Sequence, residues 1–228
     1  MVSIPQVAMS DEEYQIVKVT PKDGEKILDH LRKFFFREEP LNIDIKLLGE
    51  RGDETCEELE NYCIETIPEG LSVMAVTNTG RVVGVSLNGQ HEPGHVDEMQ
   101  SSADNCPNLR FRKILQLLVE VEKKSDIFTK YPDVDKQIEV RILSVDTVMR
   151  GRGIAKALLD KTRELAMQNG FRLMRVDCTS HFSARAVARL GFECIFSLPY
   201  EEYCRDGKQV FHPALPHTQV ATYVQRLN

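Results

Sequence analysis

Apolar residues in the first ninety positions alternate with polar ones in some stretches and recur every three or four residues in others. Thr20-Pro21, with Asp23 in the first turn, is typical of a helix start. The helix that follows is predicted to end near Arg37. Two apolar runs joined by a turn at Gly80 predict a β-hairpin. The predicted elements of this half are a strand at 14–20, helices up to Arg37 and over about 43–66, and hairpin strands at 71–77 and 81–89.

The second half begins with a polar stretch and contains a strand whose pattern changes phase. Residues 90–107 are polar and irregular, which predicts a long loop of the kind that often covers a site. From Gln137 the apolar residues alternate as far as Ile142, and the apolar set then shifts by one residue to Leu143 and Val145. Such a slip predicts a β-bulge. The other predicted elements are helices at about 108–125, 151–170 and 183–190, and strands at 173–178, from Cys194 and near 220–224.

This order of elements predicts a mixed α/β sheet within a single domain over residues 1–228. The composition, 42% hydrophobic and 28% charged, is that of an ordinary globular protein. No apolar stretch approaches the length of a membrane span, and the N-terminus lacks the basic and apolar regions of a secretory signal. We therefore expect a cytoplasmic protein with no membrane partner.

Charge and cysteine content narrow the classes of function. The formal net charge is −6, whereas nucleic-acid-binding proteins normally carry a basic surface, so no nucleic-acid partner is expected. An acidic surface instead favours the approach of a small cation such as an amine. The six cysteines include no CxxC pair, which predicts reduced thiols and no metal site.

The segment from Arg150 to Ala155 joins the bulged strand to a long helix and contains Gly151 and Gly153. Glycines here allow successive backbone N–H groups to point into one concavity at a helix N-terminus, which is an anion site suited to a pyrophosphate. The alternative is a tight turn with solvated arginines. Other phosphate loops fit poorly, because no Lys-Ser/Thr follows the last glycine and Lys156 stands where the dinucleotide fingerprint has its third glycine.

The pattern Arg150-x-x-Gly153-x-Ala155 resembles the pyrophosphate-binding motif of the GNAT acetyltransferases, and its context of bulged strand, helix, strand and helix is similar as well. The resemblance implies an α/β fold with a mixed central sheet, splayed parallel strands and flanking helices. It also implies acetyl-CoA as co-substrate and no metal. The residues it assigns to acetyl-CoA are Leu143, Ser144 and Val145 for the pantetheine arm, and Arg150, Gly151, Arg152, Gly153, Ile154 and Ala155 for the pyrophosphate.

Several separated blocks are similar to the insect arylalkylamine, or dopamine, N-acetyltransferases. The blocks are residues 34–42, 142–147 and 180–185, with the tail at 213–217. This narrower resemblance implies acetyl transfer to a small primary arylalkylamine of the dopamine, tyramine, octopamine and serotonin class. We expect the small-molecule amine and acetyl-CoA to be the partners of a monomeric enzyme.

Acetyl transfer requires an amine that has lost a proton, a positioned thioester and a thiolate that is protonated or stabilised as it leaves. The resemblance implies that Glu39 is the general base, the alternative being a solvated acid beside Glu38. Many GNAT enzymes have a tyrosine where this chain has Val187, which cannot donate a proton. Ser183 lies one turn earlier on the same helix face and inherits a catalytic role from the insect family.

A second catalytic serine of that family corresponds to Thr179, whose alternative role, with Ser180, is to cap the next helix. The substrate walls are expected to include Phe35, Phe36 and Pro40, although core packing is the alternative for two of the three consecutive phenylalanines that begin at Phe34. His181 is expected to line the site wall without acting as a base.

Two other readings of function remain open from the sequence. The same fold can acetylate agmatine, a polyamine or a protein lysine, and acidic residues beyond Glu39 in the site would favour a polyamine. A CoA-binding module without turnover is the alternative from another class. The presence of both Glu39 and Ser183 argues against that module.

Overall fold

A computed structural model describes residues 13–227 of the chain, and nine strands are assigned among them. Their bounds are β1 (Tyr14–Lys18), β2 (Val73–Thr77), β3 (Val82–His91), β4 (Gln137–Val145), β5 (Leu173–Cys178), β6 (Glu193–Pro199), β7 (Cys204–Arg205), β8 (Lys208–Gln209) and β9 (Gln219–Arg226).

The same residues form eight α-helices and four short 3-10 turns. The helices are α1 (Gly24–Phe34), α2 (Pro40–Asp44), α3 (Glu57–Ile64), α4 (His95–Asn105), α5 (Leu109–Ser125), α6 (Ile127–Lys130), α7 (Ile154–Gln168) and α8 (His181–Arg189). None of these described helices combines the length and the apolar character needed to cross a membrane.

Seven strands form one mixed sheet in the order β1-β2-β3-β4-β5-β9-β6, and β7 and β8 form a separate small hairpin. Only the β4–β5 pair is parallel; every other neighbouring pair in the sheet is antiparallel. The predicted α/β class with a mixed central sheet is therefore confirmed.

Helices cover both faces of this sheet. On one face, α1, α3 and α5 pack against β3 and β4 in a large apolar core. On the other face, α7 and α8 pack against β4 and β5, with Leu159 and Val187 next to Val140 and Val176. Because side chains alternate along a strand, each residue of β4 and β5 faces one of these two helical layers.

The two parallel strands part soon after they meet, and this separation creates the principal cleft of the fold. They pair only at Ile138 with Met174 and at Glu139 with Arg175, although both strands continue well beyond those positions. The register of β3 against β4 shifts so that Arg141 has no opposite partner, which is the predicted bulge, slightly nearer the strand's start than the apolar phase change indicated.

Two predicted regions differ from the structure. The helical stretch expected at 43–66 is interrupted, because Lys46, Gly49 and Gly52 adopt positive φ between α2 and α3. The loop expected at 90–107 contains α4, a helix in which only Ala103 is fully buried. The weak apolar periodicity of a helix that buries so little explains why its pattern resembles a loop.

Candidate active site

The parting of β4 and β5 opens a cleft of about 950 Å³. Its lining comes from both strands, the end of α1, α2, α3, α5, the N-terminus of α7 and α8. Two parts of the cleft differ in construction. The loop half consists of residues 143–145, 150–151 and 153–155; the helical half consists of the lining residues of α1, α3 and α5 with the strand residues that face them.

The loop half is formed largely by backbone. Gly151 and Gly153 have φ of 79° and 78°, a conformation that L side chains rarely adopt. Gly153 is the N-cap of α7, and within the described part of the chain no side chain caps the first-turn N–H groups. These N–H groups and the helix dipole make an anion site at the edge of the cleft.

Most residues that the sequence assigned to acetyl-CoA line this half: Leu143, Ser144, Val145, Arg150, Gly151, Gly153, Ile154 and Ala155. Arg152 does not line the cleft, and its carbonyl oxygen lies 3.4 Å from the Tyr14 hydroxyl, which donates to it. The Arg150 guanidinium pairs with Glu38 across the cleft mouth, where both side chains are about half exposed, so the pair contributes little to stability.

A buried histidine links the two halves. His30 on α1 lies with Nε2 3.1 Å from the Ser144 hydroxyl on β4, and its ring centroid is 5.1 Å from that of Phe34. Burial lowers the pKa of His30 to about 4, so the ring is neutral at pH 7. The helical layer is thereby tied to Ser144, a residue of the loop half.

Glu39 lies at the N-terminus of α2, where the sequence Glu-Pro-Leu-Asn fixes its position. Pro40 occupies the first helical turn, and the Glu39 Oε2 accepts a 2.7 Å hydrogen bond from the Asn42 N–H. The Asn42 side chain is buried and donates to the Phe36 carbonyl oxygen at 3.1 Å, which closes the turn after α1. Both Glu39 and Pro40 line the cleft.

The second oxygen of Glu39 binds the end of β5. Thr179 Oγ1 donates to Glu39 Oε1 at 2.8 Å, and the buried Tyr200 hydroxyl donates to the Thr179 carbonyl oxygen at 2.7 Å. Burial raises the pKa of the Glu39 carboxyl, against the opposing effect of the hydrogen bonds from Asn42 and Thr179. Thr179 therefore contacts the predicted base and does not cap α8.

Ser180, not Thr179, is the N-cap of α8, and its hydroxyl accepts from the N–H groups of Phe182 and Ser183. Ser183 lines the cleft one turn before Val187, which also lines it. The Ser183 hydroxyl donates to the Ser180 carbonyl oxygen at 2.9 Å. It must rotate away from that carbonyl before it can donate to a group in the cleft.

Apolar side chains form the helical wall of the cleft. Phe35 lines it as predicted, and Phe34 lies beside it. The Tyr62 ring meets the Phe111 ring edge-on at a centroid distance of 5.8 Å. The other apolar lining residues of α3 and α5 are Leu59, Ile114 and Leu118.

Phe36 and His181, both predicted to contact the substrate, are not among the residues that line the cleft. Phe36 is 2% exposed and packs in the core, because α1 ends at Phe34 and the turn that follows directs Phe36 inward. The backbone N–H of His181 donates to His217 Nδ1 at 3.2 Å, and His217 lines the cleft next to Phe182. The sequence placed His217 in a similar tail but gave it no role in the site.

Three charged strand residues lie at the base of the helical half: Glu139, Arg141 and Asp177, the charged floor. Glu139 lies 3.0 Å from His91 Nε2 and 3.5 Å from the Arg141 guanidinium. Asp177 accepts from the fully buried Arg175 guanidinium at 3.2 and 2.8 Å. Sequence reasoning missed this floor, although charged residues at alternate positions of two apolar central strands are a signal for it.

Comparison with known proteins identifies the family of this chain. The model of the Acetyltransferase (GNAT) family matches residues 30–192, which include the cleft residues of both strands and the loop half. The chain belongs to the GNAT acetyltransferase family. GNAT enzymes use acetyl-CoA. The glycine turn at the start of α7, whose first-turn N–H groups are not capped by a described side chain, fits the pyrophosphate of that co-substrate.

Solved structures of other GNAT enzymes agree with this assignment. The chain is 34% identical to arylalkylamine N-acetyltransferase 2 from Aedes aegypti, with a TM-score of 0.87 over 95% of this chain and 100% of that one. It is 27% identical to a Drosophila melanogaster polyamine N-acetyltransferase that forms N-acetylagmatine, with a TM-score of 0.85 over 94% and 100%. A mosquito arylalkylamine N-acetyltransferase like 5b gives the same identity, TM-score and coverage as the Drosophila enzyme.

Proposed function

We propose that this GNAT enzyme transfers the acetyl group of acetyl-CoA to a small primary arylalkylamine of the dopamine, tyramine, octopamine and serotonin class, with Glu39 as general base. The observation that carries the substrate class is the chemistry of the helical half. Its wall is aromatic and aliphatic, which matches an aryl ring. The arylalkylamine N-acetyltransferases among the similar structures support the same class.

The charges of the cleft also favour an acceptor with one amino group. Glu38 pairs with Arg150, Glu139 with Arg141, and Asp177 with Arg175. Among the residues that the structure describes, Glu39 is the one carboxylate of the cleft lining that has no cationic partner. One unpaired carboxylate suits one ammonium, whereas a polyamine or agmatine presents a second cation that gains most from a second unpaired carboxylate.

Glu39 has the properties that the proton transfer requires. A raised pKa brings the carboxyl closer to the working pH, where a general base is most effective, and the Asn42 and Thr179 hydrogen bonds hold its two oxygens in place. Acetyl-CoA would supply the activated acetyl group, and the role proposed for Ser183, which lines the cleft, is a hydrogen bond from its hydroxyl to the departing sulfur after that hydroxyl rotates away from the Ser180 carbonyl.

Acetylation of agmatine or a polyamine is the second candidate, because two carboxylates of the charged floor line the cleft and a similar Drosophila enzyme acetylates agmatine. The test is steady-state release of CoA from acetyl-CoA with tyramine, dopamine, serotonin, agmatine and spermidine at equal concentrations. We expect kcat/KM for the aromatic amines to exceed that for agmatine and spermidine. The reverse order would replace the substrate class, and no turnover with any amine would contradict the proposed function.

A further inference from the structure

The charged floor has one member that lies close to the Glu39–Thr179 pair. Asp177 is the penultimate residue of β5 and Thr179 directly follows the strand; at the spacing of an extended chain they are about 6–7 Å apart, and both line the cleft. Met174, Val176 and Cys178, which alternate with Asp177 along the strand, pack in the apolar core with residues of α7 and α8, although Val176 also borders the cleft. Asp177 therefore faces the helical half, two residues before the threonine that binds Glu39.

The surroundings of the Asp177 carboxylate leave it with capacity for another donor. Its Oδ1 accepts from Arg175 Nε at 3.2 Å and from the Thr222 hydroxyl at 2.7 Å. Its Oδ2 accepts from Arg175 Nη2 at 2.8 Å. A carboxylate has about four lone-pair sites, so these three contacts among the described residues leave one open, and Asp177 lines the cleft.

The ion pair with Arg175 determines what kind of donor fits. The Arg175 side chain is fully buried and also pairs with Glu122 on α5, so the positive charge beside Asp177 is permanent. A neutralised carboxylate gains little from a second cation, but it remains a strong acceptor for a neutral hydroxyl.

We propose that Asp177 is a specificity-determining residue that accepts a hydrogen bond from the ring hydroxyl of a phenolic or catecholic arylalkylamine whose amino group lies at Glu39. The inference rests on the proposed function and deepens it. The aliphatic and aromatic side chains of the helical half pack on the ring, and Asp177 distinguishes hydroxylated rings from bare ones. Transfer of the acetyl group does not involve Asp177.

The first test uses the unaltered enzyme and three amines that differ only at the para position. Tyramine can donate a hydrogen bond, whereas phenethylamine and 4-methoxyphenethylamine cannot. We expect kcat/KM for tyramine to exceed both others by about tenfold to a hundredfold, the range for a hydrogen bond to a charged group. Equal values for the three amines would overturn the proposal about Asp177 while leaving arylalkylamine acetylation established. No turnover of any of the three would instead contradict the proposed function.

The second test uses Asp177→Asn, with Thr222→Val as its matched control. Thr222 contacts the same carboxylate from the side away from the cleft, so its loss disturbs the same ion pair without changing the lining. We expect the ratio of tyramine to phenethylamine kcat/KM to fall by at least about threefold in Asp177→Asn, because an amide oxygen is a weaker acceptor than a carboxylate, and to persist in Thr222→Val. A ratio that persists in both, or collapses in both, would overturn the proposal.

Asp177→Asn deprives the buried Arg175 of a partner and can reduce stability. The ratio is therefore measured on the folded fraction, since it compares two amines on the same molecules and does not depend on enzyme concentration. If Asp177→Asn does not fold, the three-amine comparison on the unaltered enzyme, repeated with Thr222→Val, decides the question.

Discussion

The two halves of the cleft are constructed in different ways. The loop half is formed by one short stretch of backbone, whose two positive-φ glycines direct N–H groups toward an anion. The helical half is assembled from side chains of α1, α3, α5 and two strands that are far apart in the sequence. We therefore expect the loop half to serve any acceptor and the helical half to determine which acceptor is used.

The largest expected effect concerns Glu39, the proposed base, which lies at the N-terminus of α2. Replacing Glu39 by Asn keeps a good N-cap for α2 but removes the carboxylate. We expect kcat/KM for tyramine to fall by about 10²–10⁴-fold, the usual contribution of general base catalysis, with little change in the KM for acetyl-CoA. Steady-state kinetics with both substrates varied measures this, and an unchanged Tm shows that the loss is not due to unfolding.

The next effect concerns the buried histidine that joins the halves. Because the pKa of His30 is lowered from 6.5 to about 4, the unfolded chain binds the proton more readily than the folded protein between these values. Stability is thus complete above pH 6.5 and is lost as the pH falls to about 4, by about 3 kcal/mol from this residue.

The variant His30→Gln keeps a hydrogen-bonding side chain beside Ser144 but does not titrate. Urea unfolding at pH 7 and pH 4.5 should show a smaller acid-induced loss of stability in the variant than in the unaltered protein. An equal loss in both would show that His30 is not responsible for it.

A smaller effect should be confined to the loop half. We expect Gly153→Ala to raise the KM for acetyl-CoA by about 5- to 30-fold, because an L residue at positive φ costs about 1–2 kcal/mol and the turn relaxes away from its anion-binding form. The KM for the amine should not change, which steady-state kinetics with each substrate varied will show.

Gly80→Ala is the matched control for this change. Gly80 has φ of 82°, and a Cβ added at either Gly80 or Gly153 would meet no other atom within 4 Å. Gly80, however, lies in the turn between β2 and β3, away from the loop half. It should lose similar stability with no change in either KM. A similar rise in the KM for acetyl-CoA in both variants would attribute the effect to general destabilisation.

The smallest effect concerns the partner of the base. The hydrogen bond from Thr179 lowers the pKa of Glu39. Thr179→Val should therefore raise the pKa of Glu39 and shift the acid limb of the pH profile of kcat/KM to higher pH. At neutral pH the loss should be several-fold, as expected for about 1 kcal/mol from one hydrogen bond. Thr179→Ser keeps the donor and should behave like the unaltered enzyme; a limb that does not move in Thr179→Val would refute this role.

The same contrast explains which features could be predicted from the sequence. The bulged strand and the glycine turn depend on local patterns between Gln137 and Ala155, and the mixed sheet follows from the order of such locally patterned elements along the chain. The helical half depends on which side chains meet across the fold. Phe36 was therefore placed in the cleft although it is buried in the core, and Asp177 was missed although it lines the cleft.

The helix boundaries show a similar limit. The break between α2 and α3 begins with positive φ at Lys46, a residue type that gives no signal of its own, whereas Gly49 and Gly52, which also adopt positive φ, are a signal that the apolar periodicity obscured. The contact between Glu39 and Thr179 joins residues 140 positions apart, and no spacing rule connects them. In the sequence, only the resemblance to the insect family predicts that Glu39 and Thr179 share one site.

The central claim is that Glu39 is the base for an arylalkylamine held in the helical half. Its most direct test is the pH dependence of kcat/KM for tyramine in the unaltered enzyme and in Glu39→Asn. Because a base acts only when deprotonated and burial raises the pKa of Glu39, the unaltered enzyme should lose activity as the pH falls, through a limb above the ordinary glutamate range, and Glu39→Asn should lack that limb. The same limb in both proteins would contradict the account.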